Sequence, residues 1–392
     1  VAYQRSKEFE QAITSLPESW TPPGEKVEVV QTPIQNKTFE VWRGSLADPG
    51  VKQLVSRIQI LVSFFIEGGT PIDLDQPDAD RWTVFFLYTK HTDPTTKREV
   101  YMFAGYCTTY RFYLYLPPTP PASPGQESNG QPAPKDDLDL GDGNFDLSQL
   151  PCRSRISQFI IVPPFQKLGV GSAFYSVIFK QYQKHPQTVE ITVEDPNEAF
   201  DDMRDLSDLA YLRTVSNFLN LRINTSLKLP KAGGPVPKNI VDPEAYETLR
   251  RRVKIAPRQF ARVLEMHLMS RLPHSVRPEI SEIDAETPPP KPKPTRAEQH
   301  EYDLWKLLVK ARLYRQHRDI LGQLEHKERV EKLEETCASV EFEYARLLDK
   351  VEAWNKRTGG DLENGGKGKR KADEAPEEEP GSGRKKARFE DA

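Results

Sequence analysis

The sequence predicts an α/β protein with a helical C-terminal region, a disordered insertion and a disordered tail. Three observations carry this. Helix-spaced and β-type apolar runs alternate from residue 51 to residue 221. Fifteen of the 34 prolines fall in two stretches, 117–151 and 273–294. Only 37% of the 392 residues are hydrophobic and 29% are charged, too few apolar groups to fold every part of the chain. The length by itself is that of two or three domains.

In chain order, Leu54, Ile58, Leu61, Val62 and Phe65 recur at helical spacing, and Gly68-Gly69 supply the stop. Two β-type runs follow, Trp82 to Thr89 and Val100 to Leu116, with Asp93-Pro94 marking the turn between them. The 117–151 stretch holds eight prolines and a net charge of −5, from six acids and Lys135, so it cannot build a core. Ile156 to Val162 reads as a buried strand, followed by a glycine-containing turn. The next helix carries Phe174, Val177, Ile178 and Tyr182 on one face, and Val189 to Val193 is another strand. Phe200 to Leu221 and Pro257 to Leu272 are predicted helical. Glu301 to Lys356 is a long charged helical region beyond the second proline linker.

Several classes are excluded. No run of 18 apolar residues exists, so no membrane-spanning helix is expected. The opening Val1-Ala2-Tyr3-Gln4-Arg5 is not a secretory signal and reads as a fragment or a trimmed start. Cys107, Cys152 and Cys337 are too scattered for a disulfide framework or a zinc site, and no metal is expected. The net charge of −3 argues against a polyanion binder.

The most specific feature is the segment from Ser157 through Ile161, Gln166 and Lys167-Leu168-Gly169-Val170-Gly171-Ser172. Gly169 and Gly171 let backbone approach a ligand closely, and the helix that follows aims unpaired N–H groups at it, which suits a pyrophosphate. A Walker loop is absent, and a dinucleotide fingerprint would need a glycine where Phe174 stands. The competing reading is a plain strand–helix turn. Gln-x-x-Gly-x-Gly between strand and helix resembles instead the coenzyme A turn of the GCN5-related N-acetyltransferases. With Glu194-Asp195-Pro196-Asn197-Glu198-Ala199-Phe200-Asp201-Asp202, Ser157-Gln158-Phe159-Ile160-Ile161 and the Trp82 strand, the chain resembles the catalytic subunits of type B histone acetyltransferases, of the fungal kind, from about Lys52 to Leu272.

The resemblance implies a mixed central sheet flanked by helices. It divides the chain into a remnant of an N-terminal lobe (1–45), an acetyltransferase core (46–225, with the insertion at 117–151), a helical end of the core (226–272), a linker (273–298), a charged helical region (299–357) and a tail (358–392). It implies acetyl-CoA as co-substrate. Backbone groups of Phe159, Ile160 and Ile161 would pair with the pantetheine arm, Gln166, Lys167, Leu168, Gly169, Val170, Gly171 and Ser172 would hold the pyrophosphate mostly through amides, and Asn197 would touch the coenzyme. On that view Lys167 and Val170 could vary freely.

A lysine ammonium, with an ordinary pKa of about 10.4, must lose a proton before it attacks a thioester. The resemblance favours Glu194 as the base with Glu67 or Asp195 assisting, and direct attack in a ternary complex. The competing reading makes Glu194 and Asp195 a helix-capping pair, since Asp195-Pro196 is good capping chemistry. Trp82, Tyr110, Arg111 and Phe112 match positions lining the histone-tail groove, or are core aromatics. Arg111 departs from the uncharged residue expected there. Glu67, Asp73, Asp75, Asp78 and Asp80, with no base among them, suit a lysine-rich tail, or form a solvated loop. Cys107 reads as a small core residue.

The implied partners are free histones, chiefly histone H-four and also histone H-two-A, and a WD-repeat histone-binding subunit, whose binding the short N-terminal lobe puts in question. Lys369-Arg370-Lys371 and Arg384-Lys385-Lys386-Ala387-Arg388 resemble a bipartite import signal, so nucleus and cytoplasm are the expected locations. Direct nucleic-acid binding is not expected, given Glu377-Glu378-Glu379 between the clusters. Two alternatives stand beside this reading: an acetyltransferase acting on another protein or a small amine, and a non-catalytic histone-binding subunit.

Overall fold

A computed structural model describes residues 20–32, 37–92, 97, 99–114, 146–148, 150–231, 234–280 and 291–358. Most of the acidic insertion, the middle of the second linker and the basic tail clusters lie outside the described residues. The elements are β1 (Glu25–Gln31), β2 (Thr38–Ser45), α1 (Pro49–Ile58), α2 (Ile60–Phe65), β3 (Trp82–Thr92), β4 (Glu99–Tyr113), β5 (Cys152–Ile161), α3 (Val170–Lys184), β6 (Thr188–Val193) and α4 (Glu198–Leu212). Beyond them lie α5 (Ser216–Leu219), α6 (Pro243–Val253), α7 (Pro257–Ser270), α8 (Arg296–Gln316), α9 (Arg318–Leu321) and α10 (His326–Thr358).

The strands form one mixed sheet in the order β1-β2-β3-β4-β5-β6. All neighbours are antiparallel except β5 and β6, which run parallel and are joined by the α3 crossover. Residues 25–45, grouped above with a separate N-terminal lobe, thus supply two strands of the same sheet. The single helix expected over 51–66 breaks at Gln59, and that expected over 200–221 ends at Leu212. Asp48 starts α1, its carboxylate accepting from the Gly50 and Val51 N–H groups at 2.8 and 3.1 Å, with Pro49 in the first turn.

Each face of the sheet buries its own core. One face packs Val51, Val55 and Val62 of α1 and α2 on Val84, Phe86, Tyr106 and Ile160. The other face is larger and takes α3, α4, α6 and α7. The C-terminal helices join this larger core despite their charge: Leu304, Trp305, Val309, Leu313, Cys337 and Tyr344 are buried in it. At its centre the Glu265 carboxylate accepts from Arg312 Nε and the Tyr344 hydroxyl, each at 2.9 Å, so a buried charge is both paired and hydrogen-bonded. Arg346 donates to both Asp202 oxygens at 2.6 and 2.7 Å and ties α10 to the first turns of α4.

His267 on α7 gives the fold a pH dependence. It is buried against Phe218 (ring centroids 4.8 Å apart), and burial, reinforced by Arg213, Arg271 and Arg222, pushes its imidazole down to about 3. The unfolded ring titrates near 6.5. Between those values the unfolded chain binds a proton that the folded chain refuses, so stability falls as pH drops below about 6.5, by at most ~1.4 kcal/mol per pH unit. Asp208, raised by burial to about 6, acts in the opposite sense from there down to its ordinary 3.8. The expected result is therefore read as a difference. Urea unfolding of His267→Leu and of the parent chain at pH 7 and pH 5 should show the variant gaining on the parent at the lower pH.

Candidate active site where two parallel strands part

The pairing of β5 with β6 ends at Ile156 and Val193. Its last hydrogen bond runs from the Glu194 N–H to the Ile156 carbonyl (2.9 Å). Beyond it, Ser157–Ile161 keep β4 on one side and have no strand on the other among the described residues.

Ser157 is a bulge. It falls between Gln158, opposite Thr108, and Ile156, opposite Thr109, and the Thr108 hydroxyl accepts the Gln158 N–H (3.1 Å). A one-residue bulge reverses which way every later residue faces. Ile156 therefore packs in the larger core and Ile160 in the smaller one. The Val162 N–H donates to the Ala104 carbonyl (3.0 Å), and the Ile160 carbonyl lies against Gly105, both on the β4 side. By strand alternation the backbone groups of Phe159 and Ile161 point to the open side. This corrects the expectation for Ile160, whose backbone is taken up by β4.

The turn that follows is held by Gln166, whose side-chain Nε2 donates to the Ile161 carbonyl (2.7 Å). Lys167 and Gly169 both adopt left-handed backbone, with φ of 61° and 76°. Gly169 caps α3 without any side-chain bond, so the first N–H groups of the helix, at Val170, Gly171 and Ser172, lack side-chain acceptors. Two expectations change here. Val170 is fully buried in the core and is not free to vary. Gly171 serves helix packing, because a Cβ there would lie 3.0 Å from Met203 Sδ on α4. Leu168 is half-buried against the same core.

On the far side of the gap stands Glu194, exposed at the end of β6. Its Oε1 accepts from Arg155 Nη1 (3.1 Å) and its Oε2 from the Ser157 hydroxyl (2.6 Å). Asp195 has φ 32°, a positive-φ position that glycine adopts most readily and that Asp tolerates better than most other side chains. The capping alternative for Glu194 and Asp195 fails, since α4 is capped by Asn197, whose Oδ1 accepts from the Phe200 N–H (2.9 Å). That bond occupies the Asn197 side-chain oxygen expected at the coenzyme. Glu67 is exposed in the turn after α2. Gln158 Nε2 donates to the Thr70 carbonyl (3.0 Å) and draws that turn against β5.

Trp82 pairs with Tyr110 across β3 and β4, their rings 4.9 Å apart, and Phe112 stacks edge-on to Tyr110 at 4.6 Å. Arg155 lies over the Phe112 ring at 4.1 Å, so the aromatic row leads to Glu194. The Trp82 indole N–H is buried without a partner among the described residues. Tyr110 donates to Asp78 (2.5 Å), and burial with that bond raises its phenol, which stays protonated. Arg111 donates to the Asp80 carbonyl (2.5 Å), and its charge bears on His185. It is therefore separated from the ring row by the strand pleat. Of the five acids, Asp75 holds Lys52 (2.8 Å), Asp73 accepts the Asp75 N–H (3.0 Å) and Asp78 takes Tyr110. Cys107 is fully buried, its thiol pushed well up by burial, and lies in the core. Sequence reasoning missed Arg155 and Ser157; a bulge leaves no residue signature.

A parallel strand pair that parts beside a glycine turn and a helix N-terminus, with a carboxylate at the fork, is the arrangement that the resemblance to the acetyltransferases of the mixed-sheet class leads one to expect. The comparisons agree. The family described as "Histone acetyl transferase HAT1 N-terminus" matches residues 1–67, and "Fungal HAT1, C-terminal" matches residues 235–272. A histone acetyltransferase type B catalytic subunit of Neurospora crassa is 49% identical, over 97% of this chain and 77% of its own length. That of Gibberella zeae is 48% identical, over 100% of this chain and 79% of its own. Among solved structures, an aminoglycoside acetyltransferase from an uncultured soil sample covers 43% of this chain and 83% of its own at 13% identity and a TM-score of 0.24, too small a likeness to carry an argument. The chain belongs to the family of type B histone acetyltransferase catalytic subunits.

Proposed function

We propose that the chain transfers acetyl from acetyl-CoA to lysine ε-amines in the N-terminal tails of free histones, chiefly histone H-four, by direct attack in a ternary complex. The observation that carries this reading is Glu194 at the fork of β5 and β6, beside the outward-facing backbone of Phe159 and the Ile161 N–H, the Ile161 carbonyl being held by Gln166. The residues present fit the coenzyme. Phe159 and Ile161 would hold the pantetheine as an added strand, and the α3 amides after Gly169 would hold the pyrophosphate. The bound coenzyme supplies the thioester acyl group. Glu194 takes the proton from the incoming amine, with Glu67 and Asp195 as assisting carboxylates. Trp82 and Tyr110 line the path of the tail, and the exposed acids before Trp82 attract its lysines. The buried cysteines support direct attack over a thiol intermediate. A WD-repeat subunit as partner, and residence in nucleus and cytoplasm, remain part of the proposal.

Incubation with acetyl-CoA and histone-tail peptides, followed by mass spectrometry, should find acetyl groups on histone H-four tail lysines. Coenzyme binding without transfer to any lysine would overturn the reading in favour of a non-catalytic histone binder. Transfer confined to small amines would overturn the substrate.

A further inference from the structure

We propose that Arg155 is a positioning residue, holding the Glu194 carboxylate in place while Phe112 holds the guanidinium. The proposal rests on the reading of Glu194 as the base. Glu194 is an exposed, rotamer-rich side chain just beyond the last residue of its strand, and fixing such a group costs side-chain entropy. Here both of its oxygens are already engaged, Oε1 by Arg155 and Oε2 by Ser157. Arg155 is anchored in turn, with its guanidinium carbon 4.1 Å from the Phe112 ring centroid and its Nη1 on Glu194.

A half-exposed ion pair of this kind contributes little to stability, so its value lies in geometry. A planar guanidinium can stack on a ring and donate from its edge at once, which a lysine ammonium cannot do. The bulge contributes the second tether, because it places the Ser157 hydroxyl within 2.6 Å of the same carboxylate. Phe112 thereby becomes the platform for Arg155, at the end of the aromatic row. It links the proposed tail groove to the base through two contacts, Phe112 to Arg155 and Arg155 to Glu194.

The test is steady-state kinetics of Arg155→Ala, Arg155→Lys, Glu194→Gln and the double variant Arg155→Ala/Glu194→Gln, with acetyl-CoA and a histone H-four tail peptide. Arg155→Ala should lower kcat by about 10–100-fold, the range expected for a misplaced catalytic group, with little change in KM for acetyl-CoA. Arg155→Lys should recover only a small part of the loss. Added methylguanidine, below denaturing concentration, should restore kcat saturably in Arg155→Ala and not in the double variant, a rescue that a purely structural defect would not show. The double variant should be no slower than Glu194→Gln. An Arg155→Ala kcat within twofold of the parent, full recovery by lysine, or multiplicative losses in the double variant would each overturn the proposal while leaving the base reading standing. If Glu194→Gln itself keeps the parental kcat, the base reading fails and this proposal with it.

Discussion

Replacing Glu194 by glutamine is expected to lower kcat by roughly 10²–10⁴-fold while leaving acetyl-CoA affinity nearly unchanged. Glutamine keeps the shape of the side chain and one oxygen that can accept from Arg155 or Ser157, so the fork between β5 and β6 should survive. It removes the capacity to accept a proton from an amine. The proposed coenzyme contacts lie on other groups, the backbone of Phe159 and Ile161 and the amides after Gly169, which explains why affinity should hold. Turnover and isothermal titration with acetyl-CoA measure the two quantities separately. Unchanged turnover would move the proton acceptor to Glu67 or Asp195. A matched loss of turnover and coenzyme affinity would show that the substitution had disturbed the strand fork.

The second large effect is expected at Gly105, far from any carboxylate. A Cβ at this position would lie 2.3 Å from the Ile160 carbonyl oxygen, a backbone atom that cannot rotate away. Gly105→Ala must therefore push β4 and β5 apart at the level where β5 presents Phe159 and Ile161. Overpacking of this kind costs about 1–3 kcal/mol, which corresponds to a drop in Tm of roughly 1–4 °C for a chain of 392 residues. Acetyl-CoA affinity should fall with it, since the proposed coenzyme strand is the one displaced. Gly68→Ala is the useful comparison: its φ is 67°, but no atom lies within 4 Å of the added Cβ, so the cost is limited to backbone strain. If Gly105→Ala is no worse than Gly68→Ala in both Tm and coenzyme affinity, tight β4–β5 packing is not what shapes the open strand.

Much of the catalytic half was legible because its signals are local. Apolar periodicity located Val170–Lys184, and the strands from Trp82 and Thr188, to within a few residues. The backbone freedom expected of Gly169 is used for the left-handed cap that starts α3. The C-terminal helices were harder. Their charge suggested a region attached by a linker, yet Trp305 donates its indole N–H to the Glu265 carbonyl (2.9 Å) and Tyr344 is buried beside it. A narrow apolar stripe among many charges does not reveal which partner it will find. The helix break at Gln59 was equally invisible, since it carries neither proline nor glycine, and the break between Gln316 and His326 was marked only by Gly322.

By itself the sequence determined the family, through Glu194-Asp195-Pro196-Asn197 and the Gln166 to Gly171 turn, whose chemistry depends on residue type at fixed spacing. It also determined that a carboxylate would end the strand after α3. Only the tertiary structure decided which backbone faces the opening. Read by alternation from Ile156, Gln158 and Ile160 would face β6 and the gap beyond it. The bulge at Ser157 hands that edge to Phe159 and Ile161 and brings a hydroxyl to Glu194. The physical reason is that a bulge is fixed by the pairing of two strands and by Thr108 on the neighbouring one, more than thirty residues away in sequence. Strand periodicity carries no record of where the partner skips.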